Sequence, residues 1–347
     1  MGRQIRQHSQ VIAGEKQTVA NRFPIVDLAA FSAKGTAGRR EIAATIDEVC
    51  RDIGFLLITG HGVPQGVIHR MHEVSAQFFS QPLHYKRQWE VPSLQDIGWK
   101  GPESSYLADT LTPGADGSKS QDRKESFGMG PLSTPDGLSP DEAVYFSKNV
   151  YPDAPPQFRE VCEEYYSELE GLSKRLLEII AVSLGLDDDF FVPRLDRHTS
   201  DLVVNYYPAQ DCSPNPGHLR AGAHTDFGTI TILNTGDDPG GLQVLDKTGT
   251  WLDIVPTSDL FVMNIGDLMA QWTNDRWVST LHRVVNSKGA GAKNARQSIA
   301  FFTQPNYHTS VSCLPTCSGP GNPPKYAPVV SGEHISLKLA RLRGLAA

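Results

Sequence analysis

The chain is 347 residues long, with 39% hydrophobic and 20% charged residues and a formal net charge of −7. This length allows a sizeable buried core, and the acidic balance without a run of Lys or Arg excludes a general affinity for nucleic acid. No apolar stretch approaches the roughly 20 residues of a membrane span, and the polar start lacks the apolar core of a signal peptide. We therefore expect a cytoplasmic protein that has no membrane partner.

The N-terminal part of the chain is predicted to form short strands and helices, followed by long loops. Residues 1–22 are polar and are interpreted as a loose arm, and residues 23–154 as a region of helices and strands. Apolar residues recur at helical spacing over residues 41–52 and 64–79, while FPIVDL and FLLITG predict strands. Residues 91–154 are rich in Gly, Pro, Ser and Asp and show little periodicity, which predicts loops that border a pocket.

Residues 155–200 are predicted to contain a long amphipathic helix that braces a sheet. The apolar stripe of this helix consists of Phe158, Val161, Tyr165, Leu169, Leu172, Leu176 and Ile180. A surface for a partner protein is the alternative use of such a stripe. The chain ends, over residues 311–347, in a loop and a helix with Ile335, Leu339 and Leu342 on one face.

Residues 201–310 change in character to short apolar segments that are separated by tight turns. These segments are LVVNYYP, TITIL, GLQVLD, WLDIVP, LFVMNIGD, HRVVN and RQSIAFF. Several short strands at regular spacing are typical of a sandwich or barrel. We therefore predict a mixed α+β fold. Its core is a double-stranded β-helix, or jelly roll, braced by the N-terminal and central helices, with a further helix at the C-terminus.

Three side chains in this region form a candidate metal site. His224 and Asp226 are two residues apart, so in a strand they would point to the same face. His282 follows 56 positions after Asp226 and begins another predicted strand. Two imidazoles and one carboxylate on one face of Fe(II) would leave positions open for other ligands. Zinc is an alternative metal for such ligands, and any single histidine is more often a surface or core residue than a ligand.

A candidate anion site follows fourteen positions after His282. Arg296 and Ser298 are two apart in a predicted strand and therefore share a face. A guanidinium group beside a hydroxyl is well suited to bind a carboxylate, because it offers two parallel charge-assisted hydrogen bonds. Arg296 can equally pair with a structural carboxylate or lie on the outer face of the sheet.

Together these motifs resemble the isopenicillin N synthase-like branch of the 2-oxoglutarate/Fe(II) oxygenases. The resemblance runs from about Phe23 to Arg343. It is carried by FPIVDL, DIGFLLITGHGVP, VNYYP, GAHTDFGTITIL, GGLQVLD, MNIGDLMAQWTNDRWVSTLHRVVN and RQSIAFF, which follow in the order and spacing of that family. It implies an oxidoreductase that uses Fe(II), 2-oxoglutarate and O2 to hydroxylate, desaturate or cyclise a small molecule, with release of succinate and CO2.

The resemblance also implies roles for individual residues. The triad of His224, Asp226 and His282 corresponds to the iron ligands of the family. Arg296 and Ser298 correspond to the pair that holds the distal carboxylate of 2-oxoglutarate. It further implies co-substrate contacts at Tyr207 and Asn205 and a substrate contact at Phe302. Phe127, Trp99 and Tyr106, which lie in the predicted loops of residues 91–154, are candidate substrate contacts at the mouth of the pocket. Packing in the core is the alternative role for Tyr207 and for the aromatic substrate contacts.

Other functions remain open at this point. An oxidase of the isopenicillin N synthase type would use iron without 2-oxoglutarate, and a non-catalytic ligand-binding protein would keep the fold alone. A zinc hydrolase leaves Arg296 and Ser298 without a role, and the acidic balance disfavours a nucleic-acid demethylase. We expect a monomer or homodimer whose partner is a small-molecule substrate.

Overall fold

Helices and strands alternate largely in the order that the apolar patterns predict, with additional short elements. The computed structural model describes residues 23–33, 35–92, 95–102, 107, 122, 124–209, 219–236, 240–286 and 294–343. The helices are α1 (Ala29–Ala33), α2 (Gly35–Asp52), α3 (Gln65–Phe79), α4 (Leu83–Lys86), α5 (Pro140–Ala143), α6 (Phe158–Ser183), α7 (Asp267–Trp272) and α8 (Ser331–Leu342). The strands are β1 (Ile25–Asp27), β2 (Phe55–Thr59), β3 (Gly98–Lys100), β4 (Glu125–Met129), β5 (Asp201–Tyr207), β6 (Ala221–His224), β7 (Ile230–Asn234), β8 (Leu242–Leu245), β9 (Trp251–Asp253), β10 (Phe261–Ile265), β11 (His282–Val284), β12 (Arg296–Thr303), β13 (Ser310–Val311) and β14 (Val329–Val330).

Two sheets form the centre of the part of the chain that the structure describes. The larger sheet has the strand order β1-β2-β10-β7-β12-β5-β4-β3, and the smaller sheet has the order β6-β11-β8-β9. Apolar side chains of β2 and β10 pack against those of β8, so the two sheets lie against each other. This arrangement is the double-stranded β-helix that the sequence predicts, and the prediction of a mixed α+β fold is confirmed. Among the described residues, no helix combines the length and apolar character needed to cross a membrane.

The long helix predicted within residues 155–200 is α6, and its apolar stripe is part of the core. Every residue of the predicted stripe is at most 3% exposed. Helices α2 and α3 pack on α6, and Tyr166 of α6 meets Phe301 of β12 edge to face, with ring centroids 5.2 Å apart. Because the stripe is buried within the chain itself, it braces the larger sheet and is not a docking surface for a partner.

The prediction of long loops over residues 91–154 is only partly correct, because β3 and β4 lie in this range. These two strands extend the larger sheet beyond β5. All five residues of β4 are buried, so this strand lacks the alternation of polar and apolar residues that marks a half-exposed strand. At Gly128 a Cβ atom would come within 1.8 Å of the carbonyl oxygen of Asp96, so β4 passes close to the loop before β3.

The structure corrects two of the three pocket walls that we predicted in this range. Trp99 is 3% exposed, and its indole N–H donates to a carboxylate of β4 at 2.8 Å. Phe127 is also 3% exposed and packs among aromatic rings of α3 and α6. Since side chains alternate across a strand, Phe127 faces these helices while its neighbour Ser126 lines the central cavity. Both aromatic residues therefore belong to the core, and Tyr106 lies outside the described residues.

Helix α8 confirms the prediction of a C-terminal amphipathic helix. Ile335, Leu339 and Leu342 are buried on one of its faces, and they line the cavity between the two sheets. The helix therefore covers a site that the strands build from the other sides.

Candidate active site

The predicted metal triad lies at the edge of the smaller sheet. His224 ends β6 and His282 begins β11, and the two residues are direct partners in the pairing of these antiparallel strands. Their ring centroids are 4.2 Å apart. One carboxylate oxygen of Asp226 lies 3.9 Å from Nε2 of His224 and 3.6 Å from Nε2 of His282. The three potential ligand atoms all lie within 4.8 Å of one another, which is a suitable geometry for one metal ion.

Hydrogen bonds on the far side of each group turn the ligand atoms inward. Nδ1 of His224 lies 2.7 Å from the carbonyl oxygen of Gly222, and Nδ1 of His282 lies 3.2 Å from that of Thr280. A carbonyl can only accept, so Nδ1 carries the proton and each Nε2 keeps its lone pair for the site. Burial and the neighbouring His282 lower the pKa of His224 to about 3, which keeps this imidazole neutral.

Polar neighbours stabilise the ionised form of Asp226. Its second oxygen accepts hydrogen bonds from Thr231 Oγ1 and Asn264 Nδ2, both at 2.6 Å. Burial alone would raise the pKa of Asp226, but the two imidazoles and these hydrogen bonds outweigh burial and lower it. The carboxylate is therefore ionised, with one oxygen left to face the histidines.

The loop that carries Asp226 is fixed by the start of α7, an element that the sequence did not predict. Backbone N–H groups of Asp267 and Leu268 donate to the carbonyl oxygens of Asp226 and Gly228 at 2.8 and 3.0 Å. At Gly266 a Cβ atom would lie 2.4 Å from the Gly228 carbonyl oxygen, so the two backbones approach more closely than any side chain allows. Asp226 thus lies beyond the end of β6, and it meets His224 through this loop and not through the strand alternation that we expected.

A second polar cluster lies on the larger sheet. Arg296 of β12 pairs in register with Tyr207 of β5, and Ser298 pairs with Asn205. All four residues are buried and line one cavity together with the triad. The guanidinium group of Arg296 lies 5.1 Å from the centre of the Tyr207 ring, and its Nε donates to the carbonyl oxygen of Gly240 at 3.2 Å. The cluster therefore presents one cation and several hydroxyl and amide groups to the cavity.

The cavity has a volume of about 130 Å³, and it contains Phe302, as the sequence predicts, together with residues that the prediction missed. The missed polar residues are Gln95, Asp96, Lys124, Ser126, Asp201, Thr225, Thr231, Asn264, Gln304 and Arg343. Period-two alternation along the predicted strands could have pointed to Thr231 and Asp201, which share a face with other cavity residues on their strands. The residues contributed by the loop before β3 and by the end of α8 carry no such signal.

Most of the chain matches known protein families and relatives. Residues 198–305 match the 2OG-Fe(II) oxygenase superfamily, and residues 23–154 match the N-terminal region described as non-haem dioxygenase in morphine synthesis. Validamycin A dioxygenase of Streptomyces hygroscopicus subsp. limoneus is 33% identical over 306 residues, which cover 86% of this chain and 82% of that protein. A homoarginine-6-hydroxylase of Glycine max is 29% identical over 335 residues, which cover 91% of this chain and 96% of that protein.

A solved structure shows the same architecture. A full-length protein of Neurospora crassa, in complex with alpha-KG and thymine, superposes with a TM-score of 0.80 at 28% sequence identity. The superposition covers 92% of this chain and 96% of that one. The likeness therefore extends over both sheets and the surrounding helices.

Proposed function

Because the chain belongs to the 2OG-Fe(II) oxygenase superfamily, we propose that His224, Asp226 and His282 hold its iron and that Arg296 and Ser298 hold its 2-oxoglutarate. The protein is an Fe(II)- and 2-oxoglutarate-dependent dioxygenase that oxidises a small molecule. One observation carries the assignment of residues: the triad and the Arg296 cluster face the same cavity from two different sheets.

The donor set of the triad fits Fe(II). Two imidazoles and one carboxylate supply three ligands on one side of the metal and leave the other positions free, as in the facial triads of non-haem iron oxygenases. Both histidines have an acceptor behind Nδ1, and the carboxylate is held by two donors. Such supporting hydrogen bonds are what orients metal ligands in proteins.

The second cluster fits a dicarboxylate co-substrate. The guanidinium group of Arg296 and the hydroxyl group of Ser298 lie on one face of β12 and would bind the carboxylate that is remote from the metal. Tyr207 and Asn205, on the adjacent strand, would line the same end. When bound, iron and 2-oxoglutarate supply the oxidising power from O2, with conversion of 2-oxoglutarate to succinate and CO2. The protein would position the substrate and exclude water.

The substrate is proposed to be an amino-acid-like or other small metabolite. The names of two relatives give homoarginine and validamycin A, and thymine is present in the complex of the Neurospora crassa protein, so related proteins accept different small molecules. Phe302 would pack against the substrate, and α8 would close the cavity over it. Hydroxylation is the expected outcome, while desaturation or cyclisation would follow from a different placement of the substrate. We expect the enzyme to act as a monomer or homodimer.

Anaerobic titration of the metal-free protein tests the proposal. Addition of Fe(II) and then 2-oxoglutarate should produce a weak visible charge-transfer band from the chelate of iron and the keto acid. Succinate in place of 2-oxoglutarate, or Zn(II) in place of Fe(II), should give no band, because one lacks the keto group and the other has a filled d shell. Iron binding without a band would favour an oxidase that does not use 2-oxoglutarate, and absence of iron binding would refute the triad.

A further inference from the structure

We propose that Asp201 recognises a positively charged group of the substrate, an ammonium or a guanidinium. The inference rests on the proposed function, because it takes the cavity beside the triad as the substrate site. Asp201 would thus set specificity for one chemical class of substrate, in addition to the residues already assigned to iron and co-substrate.

The position of Asp201 follows from the register of the larger sheet. Asp201 begins β5 and pairs with Phe302 of β12, on the same cavity-facing row as Val203 and Asn205. Along β12, Phe302 lies six residues from Arg296, which corresponds to about 20 Å at the usual rise of a strand. Asp201 is therefore at the opposite end of the cavity from Arg296, where a substrate can bind without displacing a co-substrate held by that arginine.

The carboxyl group of Asp201 lacks a cation of its own. Within the described ranges Asp201 forms no ion pair, and the nearby guanidinium group of Arg343 is engaged by Asp96. Burial, Asp96 and Asp226 raise the pKa of Asp201 well above its ordinary value, and they outweigh a hydrogen bond from Gln304 and the positive charge of Arg343. A half-buried carboxyl group that lines a cavity in this situation gains most from a cation that enters the cavity.

Gln304, which donates to Asp201, provides a second sign that a hydrogen-bond donor is missing in this part of the cavity. It lines the cavity, is 5% exposed, and its backbone N–H donates to Ser200 Oγ at 3.0 Å, which holds it beside the start of β5. Its side-chain Oε1 atom is buried and has no donor among the described residues. Buried amide oxygens are almost always satisfied in native proteins.

The two acceptors together specify the chemistry of the ligand. A carboxyl group without a cation and an amide oxygen without a donor are complementary to a group that carries positive charge and several N–H bonds, because such a group stabilises the ionised form of Asp201. An ammonium offers three donors and a guanidinium five, and neither can accept. An anionic group would instead need a cation at this end of the cavity, but Arg343 pairs with Asp96, and Lys124 donates to Asn205, which lies nearer the Arg296 end.

Matched pairs of probes test the inference on the protein loaded anaerobically with Fe(II) and 2-oxoglutarate. The two members of each pair are similar in size and differ by one positive charge at the distal group: homoarginine with homocitrulline, lysine with 6-hydroxynorleucine, and butylguanidinium with butylurea. Only the last pair compares a cation with a molecule that has no charged group. Isothermal titration calorimetry gives the Kd of each probe. We expect the wild type to prefer the cation in at least one pair, and Asp201→Asn to reduce this preference by about tenfold or more, as for other hydrogen bonds to charged groups.

Three further variants complete the design. Asp201→Glu keeps the charge and should retain part of the preference, while Asp201→Ser removes the charge and serves if Asp201→Asn does not fold. Asp189→Asn makes the same change at an exposed position outside the cavity, and it should behave as the wild type. Absence of a preference for the cation in every wild-type pair, or a preference that survives loss of the carboxylate, overturns the inference.

The same samples separate this inference from the proposed function. The visible band of the iron and keto-acid chelate is recorded before each probe is added. If the band is absent, the assignment of iron and 2-oxoglutarate fails. If the band is present and no cation is preferred, the assignment stands and only the role of Asp201 is refuted.

Discussion

The triad and the Arg296 cluster face one cavity, but they are built in different ways. The Arg296 cluster lies on β5 and β12, which pair without interruption over seven residues. The triad lies on the shorter strands β6 and β11, whose register is irregular beyond His282, and on a loop that follows β6. Regular pairing fixes the first cluster, whereas hydrogen bonds to backbone carbonyls and to the start of α7 fix the second.

This difference implies that co-substrate binding can be weakened without a change in iron binding, whereas iron binding cannot be weakened without a change in co-substrate binding. Removal of Arg296 leaves every group of the triad in place, because the two clusters lie on different sheets. Removal of a triad residue should affect both, since the keto acid would bind through the metal as well as through Arg296.

The largest effect is expected from Asp226→Ala. The variant loses the only carboxylate of the triad, so substrate oxidation should fall by more than about 100-fold, beyond the 10–100-fold typical of residues that merely support ligands. Iron content and succinate release would be measured together. Asp189→Ala, at an exposed position, is the control, and wild-type turnover in Asp226→Ala would refute the triad.

Arg296→Ala should act on the co-substrate alone. Loss of a charge-assisted pair of hydrogen bonds is expected to raise the KM for 2-oxoglutarate by about 100-fold. Iron binding, measured by calorimetry with Fe(II) under anaerobic conditions, should stay close to that of the wild type. The exposed Arg159→Ala variant controls for loss of a guanidinium group, and an unchanged KM in Arg296→Ala would contradict the assigned role.

Thr231→Val sharpens the comparison, because it changes only the support of Asp226. The hydroxyl group that donates to the carboxylate at 2.6 Å is replaced by a methyl group, and iron affinity should fall by about tenfold. Thr229→Val is the matched control: its hydroxyl donates to the carbonyl oxygen of Thr303 at 2.6 Å and does not touch Asp226. Equal iron affinities in the two variants would show that this hydrogen bond does not tune the metal site.

The last prediction concerns stability and not activity, at the cavity end formed by α8. Arg343→Met removes one partner of a largely buried ion pair and leaves Asp96 with only the attraction of Lys124 and Lys100. Because these lysines remain, we expect a loss of about 3 kcal/mol in the free energy of unfolding, at the lower end for breaking a buried pair, seen as a drop of a few degrees in Tm. Asp96→Asn combined with Arg343→Met should recover part of this loss, and additive losses in the double variant would argue against the pair.

Sequence reasoning succeeds where a site lies on regular strands. Alternation along RQSIAFF correctly places Arg296 and Ser298 on one face, and the family resemblance adds Tyr207 and Asn205, which the regular pairing of β12 with β5 brings beside them. The three side chains of the triad also converge, but for another reason than predicted. Asp226 lies in a loop whose path depends on α7, and a short helix of this kind leaves little signal in a sequence.

The opposite end of the cavity could not be predicted as a unit. Asp96 precedes β3, Asp201 begins β5, and Arg343 follows α8, so their meeting depends on the tertiary fold alone. Strands β3 and β4 were missed because they are short and buried on both faces. For the same reason the sequence does not show whether the aromatic residues Trp99 and Phe127 belong to the core or to the wall of the pocket.

The position of His224 on β6 has a consequence for the metal-free protein. Strand β6 lies at the edge of the smaller sheet and pairs only with β11 among the described residues. A metal ion held by His224 and His282 would therefore cross-link an edge strand to its inner neighbour. Exchange of the backbone amide hydrogens of residues 221–224 with deuterium should therefore be slower with iron bound than without it. Iron binding would then stabilise strand β6 against local opening.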